Sequence, residues 1–293
     1  MRWPVALALP LAACSGGGEA APRATARPMR VMSTNLCTDQ LVLALLPPAR
    51  IASVTWLARD PSGSLLTAAA ARVPINHGSA EDVVYQRPDL VITGATSTPA
   101  TRAMLHRLGY PVVEVPHAAS FEAIRAATRQ VARAVGEVAR GEALIARMDA
   151  QLAELGGDPA PPLRVAAWDS GGFGASEGTL FNEVLVAAGA VNVASRPPAK
   201  SYRRADAEVL LQAAPDVLIK GSAADRAPGR RAEFERHPVV RRFWGERRTI
   251  ALRQAWFGCG TPFAAEGARR LRDELRAVAQ GLPTAPVVPG YRP

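Results

Sequence analysis

The chain has 293 residues, 48% of them hydrophobic and 21% charged, a globular balance long enough for two ordinary domains or one large one. Its 35 basic and 26 acidic residues leave a formal charge of +9, yet Lys200 and Lys220 are the only lysines. The rest is arginine scattered through helical patterns, which argues against a nucleic-acid arm, and no apolar run reaches the ~18 residues needed to span a membrane.

Residues 1–14 read as an export signal. Arg2 supplies a short positive region, Val5 to Ala12 an apolar one, and Leu11-Ala12-Ala13-Cys14 resembles a lipoprotein box that makes Cys14 the acylated first residue of the mature chain. A plain secretory signal cut nearby is the alternative. Residues 15–28 are rich in Gly, Ala and Pro and form a flexible tether, so 1–28 stand apart from the fold. Several acyl chains on one cysteine anchor a protein stably. Cys37 and Cys259 remain. In an exported protein they form one disulfide or sit as two buried thiols, and distance in sequence does not choose between them.

From Arg30 onward strand and helix signals alternate. Arg30–Thr34 and Ile51–Thr55 read as strands around a helix that Pro47 and Pro48 stop. Asp89–Thr93 and Pro111–Val115 are further strands, with a helix over 99–108 between them. Residues that can face a core, at 121, 124, 128, 131, 135, 138, 145, 148, 152 and 155, then predict one helix from Ser120 to Leu155, capped by Ser120 and stopped at Gly156-Gly157-Asp158-Pro159. At 1.5 Å per residue it would run roughly 54 Å, far beyond the needs of a crossover. That length suits a strut between two lobes, with Gly136 and Gly141 as its weak points and an ordinary bundle helix as the plainer alternative. A continuous strut also predicts a small opening motion, since it has no loop residues to absorb large dihedral changes. Strands at Arg164–Trp168, Asp216–Lys220 and Thr249–Arg253 follow, with helices over 179–188 and 262–280. The fold class is α/β, with two parallel-sheet lobes at 29–118 and 157–293 bridged by a single long α-helix within 119–156.

The two lobes read as an internal repeat. Ser79-Ala80-Glu81 is followed after six residues by Pro88-Asp89-Leu-Val-Ile-Thr-Gly94, and Asp206-Ala207-Glu208 after six by Pro215-Asp216-Val-Leu-Ile-Lys-Gly221. Each copy is a capped short helix, a proline stop and a buried strand ending at glycine, with an offset of 127 residues.

These paired segments, the helix between them and Trp256-Phe-Gly-Cys-Gly-Thr-Pro262 before the last helix resemble the solute-binding proteins of ABC importers for cobalamin, ferric siderophores and haem. The resemblance covers about residues 29–281. It implies a monomeric, non-enzymatic, periplasmic protein, tethered through lipid, that captures a small molecule and delivers it to an ABC permease in the inner membrane. No resident cofactor, metal or nucleic acid is implied; the ligand is a metal-bearing macrocycle or chelate. A glutamate on each lobe docks on permease arginines in that family, and Glu81 and Glu208 match those positions.

Ligands of open α/β sheets sit at the carboxyl ends of the strands. The binding candidates are therefore Asn35, Cys37, Trp56 and His77 in the first lobe, and Trp168, Phe173, Tyr202, Arg203, Trp256 and Phe257 in the second. In a chain with 5% aromatics, Trp56, Trp168 and Trp256 at strand ends favour a broad, weakly charged ring such as a corrinoid. An anionic ferric chelate would call on Arg59, Arg203 and Arg204. The main rival from another class is an exported α/β enzyme using Gly172–Gly178 as a dinucleotide loop, though its spacing is one residue too long. The four histidines lack paired metal-ligand spacing, which weakens a free metal-ion carrier.

Overall fold

A computed structural model describes residues 27–94, 99–168, 175–193, 207–221 and 237–281. Strands β1 (Val31–Ser33), β2 (Ile51–Thr55), β3 (Ile75–Asn76), β4 (Leu90–Gly94) and β5 (Val112–Val115) form one sheet in the order β3-β2-β1-β4-β5. Strands β6 (Arg164–Trp168), β7 (Val191–Asn192), β8 (Val217–Gly221) and β9 (Thr249–Leu252) form a second in the order β7-β6-β8-β9. Every neighbouring pair in both sheets is parallel.

Crossover helices cover both faces of such a sheet, and the strands are apolar on both sides accordingly. Val31 packs into the largest apolar cluster with Ile92 and Ile124, while its neighbour Met32 faces Val83, Val91 and Leu105 on the other side. In the second sheet Val217 and Ile219 join that same largest cluster, and Leu218 turns to Leu210, Val240 and Trp244. One apolar core therefore runs without a break from the first lobe into the second.

The repeat is realised residue for residue. Helices α3 (Ala80–Gln86) and α8 (Ala207–Ala213) begin 127 residues apart, and so do β4 and β8. Between helix and strand, Arg87 and Ala214 both adopt left-handed backbone, at φ 47° and φ 41°. The following aspartate explains why Pro-Asp recurs. Asp89 accepts the Met29 and Arg30 backbone N–H groups at 2.7 and 3.0 Å, and Asp216 accepts that of Arg164 at 2.8 Å. In return the Arg30 and Arg164 guanidinium groups each donate at 2.8 Å to a last-turn carbonyl, Gln86 and Ala213 respectively. Each clip ties the end of a helix to the start of the central strand.

The remaining helices are α1 (Leu36–Leu45), α2 (Thr67–Ala70), α4 (Pro99–Arg107), α5 (Phe121–Ala134), α6 (Val138–Gly157), α7 (Leu180–Ala187), α9 (Pro238–Trp244) and α10 (Ala264–Gly281). The single helix predicted from Ser120 to Leu155 is thus two helices. Gly136, at φ +73°, turns the chain back on itself, and α6 returns antiparallel along α5. Arg129–Glu142 at 2.8 Å and Arg125–Asp149 at 2.7 Å zip the pair. Gly141 lets the two backbones close up, since a Cβ there would lie 2.5 Å from the Ala132 Cβ. Buried Arg50 holds the reversal, donating to the Val135 and Pro28 carbonyls at 2.6 and 2.8 Å and pairing with Glu137. Beyond α5, α6 packs on α10 and α7 of the second lobe. Its 20 residues reach about 30 Å, roughly half the predicted strut.

Candidate functional site

The carboxyl end of β1 runs directly into the N-cap of α1. Asn35 caps that helix, its Oδ1 accepting the Cys37 N–H at 2.9 Å. Gly94, at the end of β4, approaches so closely that a Cβ there would stand 2.8 Å from the Asn35 Cγ. After β3, buried Asn76 donates to the Ser33 carbonyl and the Ser53 hydroxyl, both at 2.9 Å, and accepts from the Gly78 N–H at 2.8 Å. The strand-end loops of the first lobe are therefore locked to one another by buried hydrogen bonds.

The second lobe is joined covalently to these loops. Cys37 and Cys259 form a disulfide, with their Cα atoms 4.9 Å apart across 222 residues of sequence. This answers the question left open by the sequence and sets the carboxyl ends of the two sheets against each other. A crevice beside the bond is lined by Asn35, Cys37, Thr38, Pro116, His117 and Gly260. Beneath it Asp39 is wholly buried, accepting the Thr55 N–H at 3.1 Å and the Thr55 hydroxyl. Burial pushes its carboxyl up to about 7, against the hydrogen bonds of Ser33 and Thr55, which pull it down.

A family model described as periplasmic binding protein matches residues 31–243. The chain belongs to the periplasmic binding protein family. Two curated proteins of Halobacterium salinarum strains, each called cobalamin-binding protein, are 27% identical over 210 residues, which is 68% of this chain and 55% of theirs. The chain thus aligns with about half the length of these relatives. Among solved structures, the periplasmic haem-binding protein RhuT from Roseiflexus sp. RS-1 superposes with a TM-score of 0.72 at 24% identity, over 86% of this chain and 99% of that one. The periplasmic vitamin B12 binding protein BtuF of Vibrio cholerae gives 0.63 at 17% identity, over 87% and 99%. At these identities the likeness concerns the fold, two α/β lobes.

Within this periplasmic binding protein the predicted residues separate. Asn35 and Cys37 line the crevice. Trp56, 50% exposed, opens a short turn after β2, and exposed His77 follows β3 with its N–H donated to Asp82. Trp256 is half-buried against the core, with the Arg270 guanidinium 5.0 Å from its ring centroid. Phe257 differs from its predicted role: it is buried and stacks on Phe181 at 3.9 Å, so its ring belongs to the core. Trp168 closes β6, but its side chain lies outside the described residues, as do Cys14, residues 172–174 of the glycine loop, Phe173, Tyr202 and Arg203.

Glu81 is exposed in the first turn of α3, behind the N-cap Ser79. Glu208 holds the same place in α8, with its side chain outside the description. His117 is a lining residue that is not among the predicted binding residues. It stands two residues past β5, so the rule that singles out Asn35 and Trp56 also finds it. Arg59 donates to the Ala70 and Val73 carbonyls at 3.3 and 2.8 Å, which commits it to the fold. No described helix is long and apolar enough to cross a membrane, and no described group of three or more His, Cys, Asp or Glu is placed to hold a metal ion.

Proposed function

We propose that this protein is the solute-binding component of an ABC importer and captures a corrinoid between its lobes for delivery to a membrane permease. The observation carrying the reading is the apposition of the two sheets' carboxyl ends around a crevice, with half-exposed Trp56 presented at a strand end. A flat apolar ring suits a site that, among the described residues, offers an aromatic face and few arginines not already bonded to carbonyls. Arg59 donates to two carbonyls and Arg253 to the Pro61 carbonyl, so among the described residues these two are committed to the fold, while Arg203 and Arg204 lie outside them. The names of the Halobacterium relatives point the same way. In this reading the protein is exported, held to the membrane by lipid on Cys14, monomeric and without turnover. Glu81 and Glu208 face the permease, one on each lobe.

Haem is the second reading, favoured by exposed His77 and His117 at strand ends, either of which could approach a bound iron. Titrating the purified mature chain with cyanocobalamin, haemin and a ferric catecholate, followed by absorbance and calorimetry, separates the readings. Cyanocobalamin is expected to bind at micromolar levels or tighter. Trp56→Ala should then cost on the order of 1–3 kcal/mol of affinity. Failure of cyanocobalamin beside salt-sensitive binding of the anionic chelate overturns the corrinoid assignment.

A further inference from the structure

We infer that the Cys37–Cys259 disulfide is a staple that fixes the aperture of the cleft and so determines which ligands fit. Besides the apolar core they share, the two lobes are joined along a helix and through a covalent bond at a separate place. At the back, α6 packs on α5 of the first lobe and on α10 and α7 of the second. At the floor, the disulfide joins the first turn of α1 to the segment that precedes α10. A body held along one helix can swing and twist about it. A second, covalent attachment away from that helix leaves only rotation about the line joining the two.

Contacts around the bond reinforce this attachment. The main chain at Gly260 is pressed against the β5–α5 connection, where a Cβ would lie 2.3 Å from the Ala118 carbonyl oxygen and 2.4 Å from its Cβ. The Arg253 guanidinium reaches from the second lobe to donate to the Pro61 carbonyl of the first at 2.6 Å. Cys37, Ala118 and Gly260 all line the crevice, so the bridge forms part of the site wall. With the gap pinned at the bridge, the cleft closes less on a thin ligand and widens less for a thick one than a cleft hinged on α6 alone. Discrimination then follows from fit to a preset width, a case of pre-organisation.

The test uses the full mature chain in three forms: oxidised, reduced after folding with a trialkylphosphine, and Cys37→Ser. In the reduction the S–S bond becomes two thiols while the phosphine takes up the oxygen of one water; a thiol assay showing two more thiols than the oxidised form certifies it. Without ligand, small-angle scattering should give a larger radius of gyration for the reduced form. Amide exchange should also quicken at Ala118–Ala119 and Gly258–Thr261. Superimposable profiles and equal exchange after complete reduction overturn the staple, even if Cys37→Ser fails to fold.

The ligand arm rests on the binding role proposed above. Opening the bridge should weaken cyanocobalamin at least ten-fold, through faster release. It should also narrow the affinity ratio between cyanocobalamin and the smaller corrinoid cobinamide. An unchanged ratio with a changed scattering profile overturns the role in ligand selection. If the oxidised chain binds no macrocycle at all, the proposed function fails, and the scattering arm still decides the staple.

Discussion

Asp39 carries a conflict built into one side chain. Its carboxyl is buried deeply enough to favour the neutral form, while Ser33 and Thr55 offer hydrogen bonds that favour the charged one. Burial wins, and the folded value of about 7 lies above the 3.8 of the exposed group. Between those values the native state holds a proton that the unfolded chain releases, so stability falls as pH rises from about 4 to 7. At about 1.4 kcal/mol per unit, the loss is at most roughly 4 kcal/mol. Glu142, Asp158 and Glu266 act in the opposite sense. Each is held below the usual carboxylate range by hydrogen-bonded arginine, so their contribution is lost only as pH falls toward the acid side. Urea unfolding at pH 4.5 and 7.5 should therefore show a steeper fall for the native protein than for Asp39→Asn. Equal slopes in the two proteins would remove Asp39 as the cause.

At the scale of elements, the hairpin of α5 and α6 rests on a few backbone requirements. Gly136 needs its left-handed conformation, and a Cβ there would stand 2.9 Å from the Arg27 side chain. Gly136→Ala should cost about 1–2 kcal/mol in a denaturant or thermal melt. Gly156 also lies in α6 but has open space around it. Gly156→Ala should therefore shift stability the other way, by about 0.5–1 kcal/mol. If both substitutions shift stability in the same direction, the turn is not what distinguishes them. The reversal at Gly136 is not legible in the sequence, because apolar spacing records which face of a helix is buried and not where the chain doubles back. Phe121, Ile124 and Val131 of α5 and Met148 and Leu155 of α6 belong to one shared core, so two stripes read as one. Strands β2, β4, β6 and β8 are legible, since burial on both faces leaves apolar runs between proline and glycine. The paired Pro-Asp segments reveal the repeat, but not the clips their aspartates make. Strand ends single out Asn35 and Cys37, which line the crevice. They cannot tell that the Phe257 ring turns inward while Trp56 stays in solvent.

For the whole molecule, the small opening expected from a continuous strut loses its original reason at Gly136. If the opening is small, the shared apolar core and the disulfide are the features that would limit it. The bridge closes a loop of more than 200 residues, for which chain entropy allows a stabilisation of about 5 kcal/mol. Function at this scale should separate cleft from docking face. Glu81 stands exposed at the start of α3 and is not among the residues that line the crevice. Reversing charge with Glu81→Arg together with Glu208→Arg should leave cyanocobalamin affinity within two-fold and abolish uptake by cells lacking the native protein. A parallel loss of affinity would place these carboxylates in the ligand site instead. The same bridge also alters the connectivity of the polymer. From Cys37 to Cys259 the chain is a closed covalent ring, and the residues on either side are tails leaving it from neighbouring points. A protease that cuts once inside the ring opens it without releasing a fragment. The nicked protein should migrate as one species on a non-reducing gel and as two after reduction.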